Sequence, residues 1–547
     1  MACKAGAAAR PCSRPVTHTD NPLMSESRKS WLSLVGLWML LLVLAALRPL
    51  ALPDEGRYGD VGRWMMVSGD WLAPRLDGIP FFHKPPLLHW LQAITLSVAG
   101  VHAWSSRLVP ALHAGLMVLS LYLAARHIAG ERTARRAVWM LGTSLAFLIG
   151  GQYINHDMLV GTWIGIAVWC FAGAIMARDK PAKGLALAGF AACALGVLSK
   201  GLIGLVLPGL VMFVWLSLTR QWGKAWRMPW LSGLLLFSTI ALPWFVLGQQ
   251  KYPGLFDYLI IGQHFGRYTG STFNNQWPLW FFPVVLLALL LPWAFLVLWQ
   301  GLASGVRHKL ALLKPASPWQ ALLWVWLISI TVFFSLPRSK LVGYILPVIP
   351  PLTLLAAQFW EERFAHKPKA PWAFGLLCGL NLALGIGLNH LAGEHSLQRS
   401  SRDVAHALAC RMDPHDTVVV AGGYPYDLPF EANLKQPVVV VSDWPEARKS
   451  AGDNWQREMF EGADFDPQAA QVLQGPEVLT QEPPANHWLV TSRDVSTLGD
   501  LSLWQKVFEG RAWTLWQSAV SAGKSPKAAE HKGLSCSDHH RQEQRQQ

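Results

Sequence analysis

Apolar runs long enough to cross a hydrocarbon layer, about 17 to 25 residues each, recur through the first 390 residues of the chain. They fall near 31–52, 107–125, 137–154, 158–177, 184–199, 201–219, 229–248, 277–299, 318–336, 341–360 and 371–390. This pattern predicts a mainly α polytopic membrane protein with about 11–13 transmembrane helices, counting re-entrant pieces. The first run is too long and too late in the chain for a cleaved signal peptide, so a retained anchor is expected.

The segments between the runs alternate in charge. RHIAGERTARR (126–136), RDKPAK (178–183), RQWGKAWR (220–227), RHKLALLK (307–314) and RFAHKPK (363–369) are basic, as are residues 1–30. Cytoplasmic loops carry such an excess of lysine and arginine. The N-terminus is therefore expected inside, with the loops 53–106 and 249–276, and everything after 390, on the outer face.

Past residue 390 the pattern changes to short β-rich runs, DTVVVAGG (416–423), QPVVVVSDW (436–444) and HWLVTSRD (487–494), between helix-like stretches. A small C-terminal α/β soluble domain over 391–520 is expected. Its GG lacks a third glycine and a clear helix start, so it reads as a turn and not a phosphate loop. Residues 1–30 read as a disordered cytoplasmic tail, 31–390 as the membrane domain, and 521–547 as a disordered polar tail.

Composition agrees: 52% hydrophobic, 15% charged, with 29 tryptophans. The net charge of +13 is spread over inner loops and tails instead of one basic stripe, so no nucleic-acid partner is expected. Of the cysteines, Cys410 and Cys536 alone could meet an oxidising compartment, and a disulfide between them is not expected.

The spans are almost free of Asp and Glu, whereas ionisable residues crowd the outer loops. LPDEGRYGD (52–60) and SGDWLAPRLDGIPFFHKPPLLHW (68–90) mix charge with Trp, Phe and Leu. Such segments suit elements lying in the membrane interface, apolar faces in lipid and charges in a shared cavity. QYINHDM (152–158), SKG (199–201), FDYLIIGQHFGRY (256–268) and SLPRSKLVGYILP (335–347) add Asp157, Lys200, His264, Arg267, Arg338, Lys340 and Tyr344 on the same side. Acids (Asp54, Glu55, Asp157) beside cations (Arg57, Lys84, Lys200, Arg267, Lys340) fit a group transfer in which a carboxylate deprotonates or orients the acceptor and cations hold a departing phosphate. Plainer roles stand beside these. Asp54 and Glu55 could cap a helix starting near Gly56, Asp157 could cap the next span, and Arg57, Arg338 and Lys340 could anchor to lipid headgroups. His83, His89 and His264 are individually more often interface or core histidines than metal ligands.

DEGRYGDVGRWMMVSGDWLAPRLDGIPFFHKPPLLHWL resembles the first outer loop of the bacterial 4-amino-4-deoxy-L-arabinose lipid A transferases and their relatives, which share a membrane fold with protein O-mannosyltransferases. The family pattern is an acid pair, RY, an SGDW turn, NG or DG, then an aromatic, EKPP and an aromatic-rich helix. SKG before an apolar run, the H..R of the 249–276 loop and FFSLPRSKLVGYILPVIPPL are similar to later family motifs, in the same order over residues 30 to 390. The resemblance implies a C-type lipid-dependent glycosyltransferase fold in the bacterial inner membrane, with an inverting active site on the periplasmic face. It implies Asp54 as principal catalytic carboxylate, Glu55 beside it and Asp157 as second acid. Arg57, Lys84, Arg267 and Tyr344 would face the donor phosphate, and Lys200 and Lys340 match further motif positions there. The chain departs from the family at residue 83. Histidine stands there where a glutamate is usual, one that with a histidine matching His264 is associated with a divalent metal. His83 and His264 could still ligate zinc through imidazole, or His83 could be a hydrogen-bond donor in a member without metal.

The expected function is transfer of a sugar, aminoarabinose among the candidates, from a polyprenyl-phosphate donor to lipid A or another lipid or glycan acceptor, by a monomer embedded in membrane lipids. The rival is a transporter or flippase of polyprenyl-linked sugars, which would need matching sites on the cytoplasmic side, where acidic or broken-helix signals are missing.

Overall fold

The structure is a computed structural model that describes residues 22–266, 275–307, 317–450 and 452–520. The terminal segments 1–21 and 521–547 lie outside the described residues. Eight described helices are long and apolar enough to cross a membrane. They are Glu26–Ala46, Ala103–Gly142, His156–Met176, Lys183–Lys200, Trp230–Lys251, Pro318–Ser335, Val342–Arg363 and Ala370–Leu397, with shorter apolar helices Leu87–Ala99, Ile203–Thr219 and Trp293–Leu302.

The difference from a count of 11–13 has local causes. The run 107–125 and the start of 137–154 lie in Ala103–Gly142, two helical pieces that meet at a kink at Gly130 with φ 84°, a backbone conformation that glycine adopts without steric cost; the rest of 137–154 forms the short helix Leu145–Gly150. The run 277–299 divides into Phe281–Leu289 and Trp293–Arg307 around Pro292, which has no N–H to continue a helix. Leu87–Ala99, assigned to an outer loop, is an apolar helix. Leu231, Leu234 and Leu235 on one span and Trp372, Leu376 and Leu380 on another point outward, as lipid-facing sides do. Trp215, Trp293 and Trp326 are wholly buried between helices.

The first span is followed by helix Asp54–Ser68, which ends at Gly69 in a left-handed cap whose N–H bonds Met65 O. An interface position with an apolar face in lipid is expected for this helix. It is instead buried on nearly all sides, from Glu55 to Met65. Gly56 and Gly62 permit this: a Cβ at Gly56 would lie 3.0 Å from the Asp427 backbone nitrogen, and one at Gly62 would lie 2.6 Å from Gln92 Cβ. One side of the helix therefore touches the outer domain and another touches helix Leu87–Ala99.

Strands β1 (Arg75–Leu76) and β2 (Ile79–Pro80) form a small hairpin whose turn, Asp77–Gly78, has positive φ at both residues, the geometry that favours Asp-Gly. The outer domain is a six-stranded sheet of β3 (Thr417–Ala421), β4 (Val439–Val441), β5 (Leu473–Gln474), β6 (His487–Ser492), β7 (Trp504–Glu509) and β8 (Trp513–Ser518). Its order is β5-β4-β3-β6-β8-β7, with β5, β4, β3 and β6 parallel and β8 and β7 antiparallel at one edge. Gly422 and Gly423, both at positive φ, make the turn after β3. Cys410 is disulfide-bonded, contrary to the expectation from the sequence.

Val61, Leu76, Ile79 and Phe81 of the first outer loop share one apolar core with Val404, Leu408, Val420, Val440, Trp488 and Leu515. Polar bonds reinforce it. The Val438 N–H donates to Asp77 Oδ1 at 2.8 Å, and Arg63 donates to the Leu434 carbonyl. The outer sheet is thus packed on the loop that follows the first span.

That loop is fixed by one carboxylate. Glu55 is fully buried and accepts from Arg48 at 2.5 and 2.9 Å and from Arg107 at 2.6 and 3.1 Å. It also accepts the Ala51 N–H at 2.7 Å and the Ile154 N–H at 3.1 Å. Arg107 spends its other donors on the carbonyls of Ala45, Arg48 and Pro49, groups left open where the first span ends. Burial alone would raise the Glu55 carboxyl, but the charges of Arg107 and Arg48 outweigh it and bring it down to about 2.

Removing one partner of a buried pair strands a charge, at a cost of about 3–5 kcal/mol. Arg107→Leu is therefore expected to lower the thermal midpoint of the detergent-solubilised protein sharply. The Glu55 carboxyl is depressed on folding from an unfolded value of ~4.3. Its contribution is complete above that value and is lost as pH falls through about 2. The fall of the midpoint below pH ~4 should thus be shallower in Glu55→Gln than in the parent protein, and identical acid profiles would refute the assignment.

Candidate active site

Successive residues of a helix point about 100° apart, so the neighbouring acids Asp54 and Glu55 cannot share a site. Glu55 turns into the core described above. Asp54 turns into a cavity of about 620 Å³ that opens beneath the outer domain. Glu55 is thus corrected from a catalytic candidate to a buried structural carboxylate. Neither acid caps the helix, whose N-cap, Pro53, has no side-chain cap bond.

Asp54 is held from two directions. One oxygen pairs with Arg57 one turn on, and Oδ2 accepts the Tyr153 hydroxyl at 3.1 Å. Arg57 also pairs with Glu458 of the outer domain and lies over the rings of Tyr58 at 4.9 Å and Tyr426 at 5.7 Å. Its charge is thus shared between two carboxylates, Asp54 and Glu458. Burial opposes the charge of Arg57, yet Glu458 and its neighbours hold the guanidinium well above its ordinary value. Burial likewise pushes Glu458 up, with Arg57 pulling it back.

Opposite stands Asp157, in the first turn of span His156–Met176. Asn155 is the cap of that helix, its Oδ1 accepting the Asp157 N–H at 2.9 Å, so Asp157 is released from capping. The Asp157 carboxylate accepts from Asn155 Nδ2 at 3.1 Å and pairs with Lys200. Lys200 ends span Lys183–Lys200, and its ammonium lies 4.2 Å from the Tyr344 ring centre. A Cβ on Gly343 would sit 2.2 Å from Asp157 Oδ2, which is why the turn before Tyr344 needs a glycine.

Lys84 lines the cavity from the turn between β2 and helix Leu87–Ala99, and its ammonium donates to the His83 carbonyl at 2.8 Å. The His83 ring stacks on Phe81 with centroids 4.6 Å apart and meets Tyr258 edge-on at 5.9 Å. Lys340 does not reach the cavity. It is 2% exposed and its ammonium is bound by the carbonyls of Trp277 and Pro337, fixing the loop that precedes Tyr344. Arg267 and the side chain of His264 lie outside the described residues.

The structure therefore brings Asp54, Arg57, His83, Lys84, Asp157, Lys200 and Tyr344 to one cavity. The sequence reading did not single out Tyr58, Tyr153, Asn155, Asn275, Asp453 or Glu458, which line it too. Tyr153 and Asn155 stood in the motif already noted for Asp157. Asp453 and Glu458 carried no local signal, coming from the outer domain. Apart from His156, the remaining wall is apolar, with Leu145, Ile149, Leu289, Leu341, Val342 and Leu346. The cavity thus pairs a greasy side with a side bearing both acids and cations, an arrangement suited to a substrate that has a hydrocarbon part and a charged part.

The family described as dolichyl-phosphate-mannose-protein mannosyltransferase matches residues 83–246. The chain is 31% identical over 366 residues to the undecaprenyl phosphate-α-4-amino-4-deoxy-L-arabinose arabinosyl transferase 2 of Pseudomonas fluorescens (strain Pf0-1), covering 63% of this chain and 62% of that one. It is 30% identical to the corresponding transferase of Pseudomonas aeruginosa (strain LESB58), over 66% of this chain and 65% of that one. The chain thus spans a little under two thirds of the length of these curated relatives. Its fold is that of the crystal structure of ArnT from Cupriavidus metallidurans bound to undecaprenyl phosphate, with TM-score 0.74, 24% identity and coverage of 90% of this chain and 98% of that chain.

For a divalent ion, His83 is the one described ligand of the expected pair, and no group of three or more His, Cys, Asp or Glu side chains positioned for a metal occurs among the described residues. A zinc ion held by His83 and His264 requires stoichiometric zinc in the purified protein and its loss in His83→Ala. Elemental analysis checks both, and substoichiometric zinc in the parent protein removes the site.

Proposed function

We propose that this chain is an integral-membrane glycosyltransferase that moves a sugar from a polyprenyl-phosphate donor to a cell-envelope acceptor on the periplasmic face of the bacterial inner membrane. The observation that carries the proposal is the two-sided cavity, with Asp54, Lys84, Asp157 and Lys200 facing a wall of leucines, isoleucine and valine. Identity to the transferases above supports the same reading. The basic loops 126–136, 178–183, 220–227 and 363–369 favour a cytoplasmic position for the opposite end.

The prenyl tail lies along the apolar wall, and the phosphate is received by Lys84 and by Lys200, whose ammonium is shared with Asp157. An acceptor oxygen attacks the anomeric carbon as the bond from that carbon to the phosphate oxygen breaks, and the electron pair leaves with polyprenyl phosphate. A phosphate is a weak base, so cations suffice to stabilise it and no acid need protonate it. A hydroxyl acceptor loses its proton to Asp54; a phosphate acceptor has none to lose and is oriented instead. The preferred sugar is 4-amino-4-deoxyarabinose, since the outer-domain acids Asp453 and Glu458 at the cavity give an ammonium-bearing sugar a favourable field. The preferred acceptor is lipid A. A transporter would need a second cavity at the cytoplasmic end, whereas Asp54, Arg57, Lys84, Asp157, Lys200, Asp453 and Glu458 gather at this one.

The test is reconstitution of purified protein with undecaprenyl-phosphate-linked aminoarabinose and lipid A, read by mass spectrometry of the acceptor. Asp54→Asn is expected to abolish transfer while binding of undecaprenyl phosphate persists, and full activity would sink the catalytic assignment. Lys84→Ala removes a charge-assisted bond worth about 1.5–3 kcal/mol and should weaken donor binding roughly tenfold to a hundredfold. An unchanged donor affinity would count against its phosphate role.

A further inference from the structure

Asp54 has two neighbours that donate to its carboxylate, and they differ in kind. Arg57 brings a full charge and two or more N–H groups, enough to take both oxygens of a carboxylate in a forked pair. It engages Oδ1. Oδ2 is taken up by the hydroxyl of Tyr153 at 3.1 Å.

Tyr153 is set by the same core that sets Asp54. The next residue, Ile154, gives its N–H to Glu55 Oε1 at 3.1 Å, and the Asn155 N–H closes a tight turn on the Tyr153 carbonyl at 2.9 Å. Glu55, adjacent in sequence to Asp54, thus anchors the backbone of both the acid and the tyrosine that meets it. Burial and the carboxylates of Asp54 and Glu55 push the Tyr153 hydroxyl far above its ordinary range, so it stays protonated and remains a donor.

We propose that Tyr153 is a positioning residue for Asp54. Its hydroxyl fixes the rotation of the carboxylate, keeps Oδ2 from closing a forked pair with Arg57, and leaves the second lone pair of that oxygen for the acceptor. The inference rests on the glycosyltransferase reading and on Asp54 as its reacting carboxylate. No new bond is made by Tyr153; its proton stays on its oxygen throughout, and the acceptor's proton goes to Asp54.

The test is steady-state kinetics of Tyr153→Phe in the reconstituted reaction. The ring and its packing are kept, and one hydrogen bond to a charged group is lost. We expect kcat to fall roughly tenfold or more, with KM for the polyprenyl-phosphate sugar and the thermal midpoint unchanged. A kcat equal to the parent's, or a rise in KM at unchanged kcat, overturns the proposal, the second because it would make Tyr153 a substrate ligand. A double variant supplies a second, independent measurement. On an Asp54→Asn background the reacting carboxylate is gone, so adding Tyr153→Phe should leave the affinity for undecaprenyl phosphate unchanged. A loss of that affinity refutes it. An active Asp54→Asn would instead defeat the underlying reading, which separates the two failures.

Discussion

A buried carboxylate stays ionised only where cations and hydrogen-bond donors replace the water it has lost. Glu55 is such a group, and the architecture of the outer face depends on it. Arg48 reaches it from the end of the first span and Arg107 from the next long helix. The N–H of Ile154 reaches it from the loop before the fourth helical run. Arg107 at the same time ties down three carbonyls where the first span unwinds. One charge therefore sets the angle at which helix Asp54–Ser68 leaves the membrane region, and with it the direction in which Asp54 points.

The membrane fold was legible from the length and polarity of the apolar runs, because those are properties of a segment by itself. Each of the eleven windows finds helical structure. Where a helix kinks or a window divides in two, the cause is a single residue such as Gly130 or Pro292. The site was legible in part for a similar reason. Lys84, Asp157 and Lys200 stand in motifs crowded with Pro, Gly and aromatics, and all three line one cavity. Glu55 and Asp54 look alike in sequence and are separated only by the helical turn between them. Lys340 reads as an available cation until the carbonyls of Trp277 and Pro337 are seen around it. Glu458 was invisible because nothing near it in the chain announces a partner 401 residues away.

The soluble segment also has a larger part than its separate composition suggests. Its β-strands share a core with Val61, Leu76, Ile79 and Phe81, and its helix Trp455–Ala463 delivers Glu458 to Arg57. The glycines at 56 and 62 make the close approach of helix Asp54–Ser68 possible: a side chain at 56 would push it from the outer domain, and one at 62 from helix Leu87–Ala99. Membrane domain and outer domain are adjacent in the chain's plan but joined at the cavity.

That shared core has a temporal side. The first outer loop leaves the ribosome long before the strands that cover it, since Asp77 and Val438 are 361 residues apart. Until the C-terminal segment arrives, the loop has an uncovered apolar face, an unanswered Asp77 and an Arg57 lacking one of its two acids. Contacts this distant in sequence form late, after the entropy of a long closure has been met. A chain stopped between residues 398 and 457 would carry every described span and every motif of the membrane half, and still have a cavity without its roof. The last-made part of the protein thereby decides when the first-made part is ready to work.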